Sequence, residues 1–253
     1  MDFAVEAAQA LCGDSNLEFE DLEKFINGMD KRCQALAVFR SIFKIDSPFT
    51  NNIKNYFLLS NTNNLNLQNW ATGQATDDII AMPANIGARV LYAPSDDGTI
   101  ILQFNNDHLD TATTLGFINT FYHELVHAYM LRLYYSGELL NEYPAYTDLK
   151  TAIDNFLNDV TNTTLANIFD KETHDIYVDF IDQIAESIVA YCNYNNIDGV
   201  NFVYAKKLVW GGLNGYDVFS DNLTLAQRNE AQTLLAYENS NITTNAKGTK
   251  TCN

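Results

Sequence analysis

His123 and His127 stand four residues apart inside a stretch, Thr111 to Tyr135, that is rich in Leu, Phe, Tyr, Ile and Val and contains no Pro. Asp110 or Thr111 offers an N-cap and Ser136-Gly137 a stop, so the stretch is predicted to be one long helix. On a helix such a pair lies one turn apart on the same face, and both imidazoles can grip a single ion. Glu124 lies beside them. A glutamate that is not itself a ligand can take a proton from water whose pKa zinc lowers to about 7. The chain has only four histidines in 253 residues, which makes accidental occurrence of this spacing rare.

Two ligands do not complete a catalytic zinc site, which takes three protein ligands and water. The extended pattern with a Gly and a third His shortly after the second is excluded, because Met130 and Leu133 occupy those places. Two downstream residues remain, His174 and Glu186, both on a helix predicted over residues 173–192. At about 100° per residue, Val178, Ile181, Ala185 and Ile188 fall within roughly 40° of His174. Glu186 falls near 120°, among Asp175, Asp179 and Asp182, on what reads as the solvated face. His174 is therefore the expected third ligand and Glu186 the alternative. Tyr177, one turn beyond His174, is a candidate hydrogen-bond donor to a developing oxyanion, with plain packing as the other reading. His108, the remaining histidine, lies in an Asn106–Asp110 turn and is expected at the surface.

A net charge of −17 opposes nucleic acid as a partner and favours cations, divalent metals included. No apolar run approaches the roughly 20 residues needed to cross a bilayer, and no solenoid repeat is present. The first residues have no basic start before a short apolar stretch, unlike a signal peptide. Location is left between the cytoplasm and release as part of a longer secreted protein. Cys12, Cys33, Cys192 and Cys252 are too scattered for a disulfide scaffold or a zinc knuckle, which leaves free or buried thiols or a single disulfide.

Around the central helix, residues 20–44 show an amphipathic stripe through Leu22, Phe25, Ile26, Met29, Cys33 and Leu36. Residues 51–69 read mostly as loop, with a short strand at Tyr56 to Leu59. Ile79 to Met82, Ala88 to Tyr92 and Thr99 to Phe104 read as strands of a small sheet, with a turn at Ser95-Asp96-Asp97-Gly98. Leu149, Ile153, Phe156, Leu157 and Val160 mark a further helix. Phe202 to Val209 ends at Gly211-Gly212, where a left-handed cap is expected, and Thr224 starts a helix to Glu238. The polar tail after Asn239 is expected to fray.

With Ile100–Asn105, Thr111–Leu115, His123–Tyr129, His174 and Trp210–Leu213 in view, the chain resembles the zincin metallopeptidases. More narrowly it is similar to SprT-like proteins and to a set of uncharacterised bacterial proteins. The resemblance spans roughly Ile79 to Leu213, and its specific part is the His-Glu-x-x-His segment. It implies a strand beside the active-site helix, zinc held by His123, His127 and His174, and Glu124 as general base. Two departures stand out: no cysteine pairs follow for a structural zinc, and the chain is acidic, so an association with DNA is not carried over.

The expected fold class is α+β: a mostly helical, zincin-like domain with one small antiparallel or mixed sheet beside the active-site helix. Residues 1–75 form a helical and loop region packed on a core at 76–239, and 240–253 form a flexible tail. The expected activity is zinc-dependent hydrolysis of peptide bonds in a peptide or protein substrate. An extended substrate would pair with the sheet edge, with neither nucleic acid nor membrane as partner. The alternatives are a noncatalytic metal-binding or protein-interaction module, and a secreted toxin-type effector using the same chemistry.

Overall fold

A computed structural model describes residues 28–29, 32–58, 65–70, 86–91, 99–159, 162–240 and 244–250. The fold is α+β and mostly helical, with one three-stranded mixed sheet. Strands β1 (Leu65–Trp70), β2 (Ala88–Val90) and β3 (Ile100–Asn105) lie in the order β1-β3-β2, with β1 parallel and β2 antiparallel to β3. Ala88 pairs with Phe104 and Val90 with Leu102. This register turns all four side chains to one face, where they are buried against the central helix.

The helices are α1 (Arg32–Phe43), α2 (Pro48–Ile53), α3 (Asn106–Thr111), α4 (Thr114–Ser136), α5 (Leu139–Glu142), α6 (Thr147–Asn158), α7 (Thr163–Tyr177), α8 (Ile181–Asn195), α9 (Phe202–Gly211), α10 (Asp217–Asn222) and α11 (Leu225–Ser240). Helix α4 is apolar almost all round and is buried along most of its 23 residues, as a helix enclosed by neighbours must be. The sheet covers one side; α1, α8, α9 and α11 cover the others. Leu115, Leu125 and Leu133 are fully buried, each removal from water contributing about 1.5–3 kcal/mol. At its start the Thr113 side chain accepts from the Gly116 N–H; at its end Gly137 takes φ 76°, as the expected glycine stop requires.

The first turn of α4 is also held from far along the chain. The carboxylate of Glu238, fully buried, accepts hydrogen bonds from Thr113 Oγ1, from Tyr204 Oη at 2.6 Å and from the backbone N–H of Lys247 at 2.7 Å and Gly248 at 3.1 Å. Residues 247–250, expected in a frayed tail, are thereby tied to the core, and Thr113 forms a β-bridge with Lys250.

Several expectations need correction. The long helix begins at Thr114 rather than Asp110 or Thr111, because α3 ends at Thr111 and Thr113 supplies the cap. Residues Lys54–Leu58 form a π-helical turn continuing α2, not a strand. Strand β1 falls in a stretch read as loop: Leu65 and Leu67 are buried and Asn66 and Gln68 are not, but Asn is depleted in strands and the run of asparagines masked the alternation. The helix expected from residue 20 is described only from Arg32, and Gly28 bridges Gln68 instead of being helical. Gly212 has right-handed angles, φ −62° and ψ −19°, so no left-handed cap forms there. Gly211 is needed for closeness: a Cβ would sit 2.8 Å from the Ala231 carbonyl oxygen. Ile79 to Met82, the turn at residues 95–98, and Leu22, Phe25 and Ile26 lie outside the described residues. Cys33 is disulfide-bonded, while Cys192 is free and buried. No helix among the described residues is long and apolar enough to cross a membrane.

Candidate metal centre

The helix predicted over residues 173–192 is broken. Helix α7 ends at Tyr177, a 3-10 turn spans Val178–Phe180, and α8 starts at Ile181. An angular count from His174 to Glu186 therefore does not hold across the break. His174 is nevertheless 3% exposed and faces α4, whereas Glu186 is exposed on α8 and takes no part in the cluster.

Three imidazoles converge. His123 Nε2 lies 3.0 Å from His127 Nε2 and 3.3 Å from His174 Nε2, and the three ligand atoms all fall within 4.8 Å of one another. Zinc bonds of 2.0–2.1 Å at tetrahedral angles place neighbouring nitrogens roughly 3.3 Å apart, so the donor set fits such an ion. The tautomer of His174 follows from its partner: Nδ1 is 2.6 Å from the Asp170 carbonyl oxygen, which can only accept. Nδ1 carries the proton, and the Nε2 lone pair is left facing the other two rings. Burial holds His123 and His127 well below the ordinary histidine range, with neighbouring histidines adding to the effect. His174 is also lowered by burial, against the opposing pull of Asp170. Neutral rings keep lone pairs available for a cation.

Glu124, 8% exposed, lies outside the histidine cluster. Burial first, then the charge of Asp170, pushes its carboxyl up to about 8, with a hydrogen bond from the Val90 backbone pulling the other way. Helix α4 thus carries two of the three clustered imidazoles and this carboxyl, and β2 touches the carboxyl from the sheet.

Tyr177 is fully buried, its ring centroid 4.6 Å from that of His123 and its hydroxyl without a hydrogen-bond partner. Burial and then Glu124 raise its pKa above the usual phenol value. The phenol that lines the open cleft is a different one, Tyr216, stacked on His174 with centroids 3.5 Å apart and planes at 14°. Sequence reasoning missed it. The only available signal was the glycine-rich turn before it, where Gly215 takes φ 111°.

A cleft of about 510 Å³ borders the centre, with His123, Glu124 and Tyr216 on its wall. His108, expected at the surface, lines the same cleft on α3, its Nε2 3.1 Å from Thr120 Oγ1. Its ring packs against Gly87, where a Cβ would come within 3.2 Å of it. Burial lowers its pKa from the ordinary 6.5 to about 4. The folded chain therefore binds this proton less readily than the unfolded chain, so the stabilising contribution is complete above pH 6.5 and is lost as pH falls toward 4. In urea titrations, His108→Gln is expected to remove about 1–3 kcal/mol of the stability lost between pH 6.5 and 4. An unchanged acid slope in the variant would refute the assignment. Comparison with protein-family models, with curated proteins and with solved structures found no match.

Proposed function

We propose that this chain is a zinc-dependent metallopeptidase in which His123, His127 and His174 hold the ion and Glu124 is the general base. The observation that carries this reading is the convergence of three neutral imidazole nitrogens beside a buried carboxyl at the wall of an open cleft. Bound zinc would supply acidified water and a Lewis acid for the substrate carbonyl. Glu124 would accept a proton at its carboxylate and return it to the leaving amine. Asp170 holds the His174 ring in its tautomer and orientation through the Nδ1 hydrogen bond. Strand β2 is one of the two outer strands of the β1-β3-β2 order and runs beside α4, a position from which an extended peptide could take backbone hydrogen bonds.

A structural zinc site fills its four positions with protein atoms. Among the described residues this cluster has three members, which favours a position left for substrate or water. The test is cleavage of a peptide library by the purified chain before and after chelation, then after zinc is restored. Loss and recovery of cleavage is expected; cleavage indifferent to the chelator would end this reading.

A further inference from the structure

His174 reaches the cluster through a ring whose aim has two supports. Along its edge, Nδ1 lies 2.6 Å from the Asp170 carbonyl oxygen, one turn back on α7. A single hydrogen bond fixes where that edge sits but lets the ring tilt about it. Against its face stands Tyr216, with centroids 3.5 Å apart and planes at 14°. Flat rings at that spacing are in van der Waals contact, so tilting the imidazole that way would drive it into the phenol. His123 and His127 meet His174 obliquely, at 39° and 65° with centroids 5.3 and 4.9 Å away, and give no such face-to-face support.

The placement of Tyr216 is built into the chain around it. Leu213 before it and Val218 and Phe219 after it are buried, so the turn is anchored in the core at both ends. Asn214 Oδ1 accepts from Gln232 Nε2 at 2.6 Å, which pins the turn to α11, and α10 packs on α7. Gly215 takes φ 111° with open space where a Cβ would stand, so the backbone angle alone calls for glycine. Tyr216 occupies the N-cap position of α10, yet its side chain makes no capping hydrogen bond. Helix starts favour Ser, Thr, Asp or Asn, so the needs of α10 do not explain a tyrosine here.

We propose that Tyr216 is a positioning residue of the metal centre: its ring holds the His174 imidazole in the plane that aims Nε2 at the other two histidines, and its face stabilises that imidazole once a cation is bound. The proposal rests on the metal-binding reading of the three histidines and is independent of peptide cleavage. An imidazole that shares its lone pair with a divalent cation is electron-poor, and the negative face of a phenol attracts it more strongly than it attracts the free ring. The role belongs to the ring and not to the hydroxyl. Phe in this position keeps a flat aromatic face of the same outline, whereas Leu fills much of the space without one.

Zinc affinity, measured by competition with a chromophoric chelator, and NMR of the metal-free chain test the proposal together. Tyr216→Leu is expected to bind zinc about 10–100-fold more weakly than the wild type, the usual effect of removing a group that orients a ligand, and Tyr216→Phe to restore the affinity. In the metal-free proteins, the ring-current shift that a stacked phenol imposes on the His174 ring protons should be present in the wild type, kept in Tyr216→Phe and lost in Tyr216→Leu. If Tyr216→Leu does not fold, Gly215→Ala takes its place, since it keeps the phenol and strains the turn that presents it. That variant is expected to lose ring-current shift and zinc affinity in step. Wild-type zinc affinity in a variant whose ring-current shift is gone would overturn the proposal. A wild-type chain that shows the stacked signature but binds no zinc would overturn it differently, by removing the metal-binding reading beneath it.

Discussion

Replacing Glu124 by Gln is expected to leave one zinc ion per chain in place and to lower peptide cleavage by about 10²–10⁴-fold, the usual contribution of a positioned general base. The substitution keeps the size of a side chain that is 8% exposed and keeps an oxygen able to accept from the Val90 backbone. What it removes is the capacity to carry a proton. Zinc content by atomic emission and turnover on one cleaved peptide check the two halves separately. Equal turnover in both proteins would show that any cleavage comes from elsewhere.

His127→Ala should act on the ion itself. Its Nε2 sits 3.0 Å from that of His123, and without it two rings remain to hold the metal. Changing a residue behind a ligand already costs 10–100-fold in metal affinity, so loss of a ligand is expected to exceed about 100-fold. Stability gives a second readout. At free zinc a thousandfold above its Kd, the wild type should gain about 4 kcal/mol, which for a chain of this length raises the melting midpoint by about 10 °C. The variant should show almost none of that rise under the same conditions. A midpoint that climbs equally in both proteins would mean that zinc binds somewhere other than the three histidines.

The parts of this site that could be read from the sequence are those that local geometry dictates. Spacing along one helix put His123 and His127 on a common face, and Thr113, Gly116 and Gly137 confirm that helix at its ends. The inward face of His174 was read correctly, although the single helix assumed for it is interrupted at Val178–Phe180. The wheel count that turned His174 inward used Val178, Ile181, Ala185 and Ile188, all beyond that turn, and its outcome still agrees with the structure, with His174 buried and Glu186 exposed. Long-range packing was not legible. Tyr216 reaches His174 only because a glycine-rich turn brings the chain back over α7, and His108 enters the cleft because α3 packs its ring on Gly87 and Thr120. The polar strand β1 escaped for a chemical reason: Asn66 and Asn69 belong to a residue type associated with turns more than strands.

The clasp at Glu238 joins residues far apart in the chain, for its carboxylate and Thr113 are 125 positions apart in sequence. During synthesis from the N-terminus, all three clustered imidazole rings emerge well before this carboxylate and the amides of Lys247 and Gly248 that complete its set. Contacts of such separation require a large loop to close before they give anything back, and they slow folding. The nascent chain therefore has all three histidines in hand while the opening turn of the helix that bears two of them still lacks its last restraint.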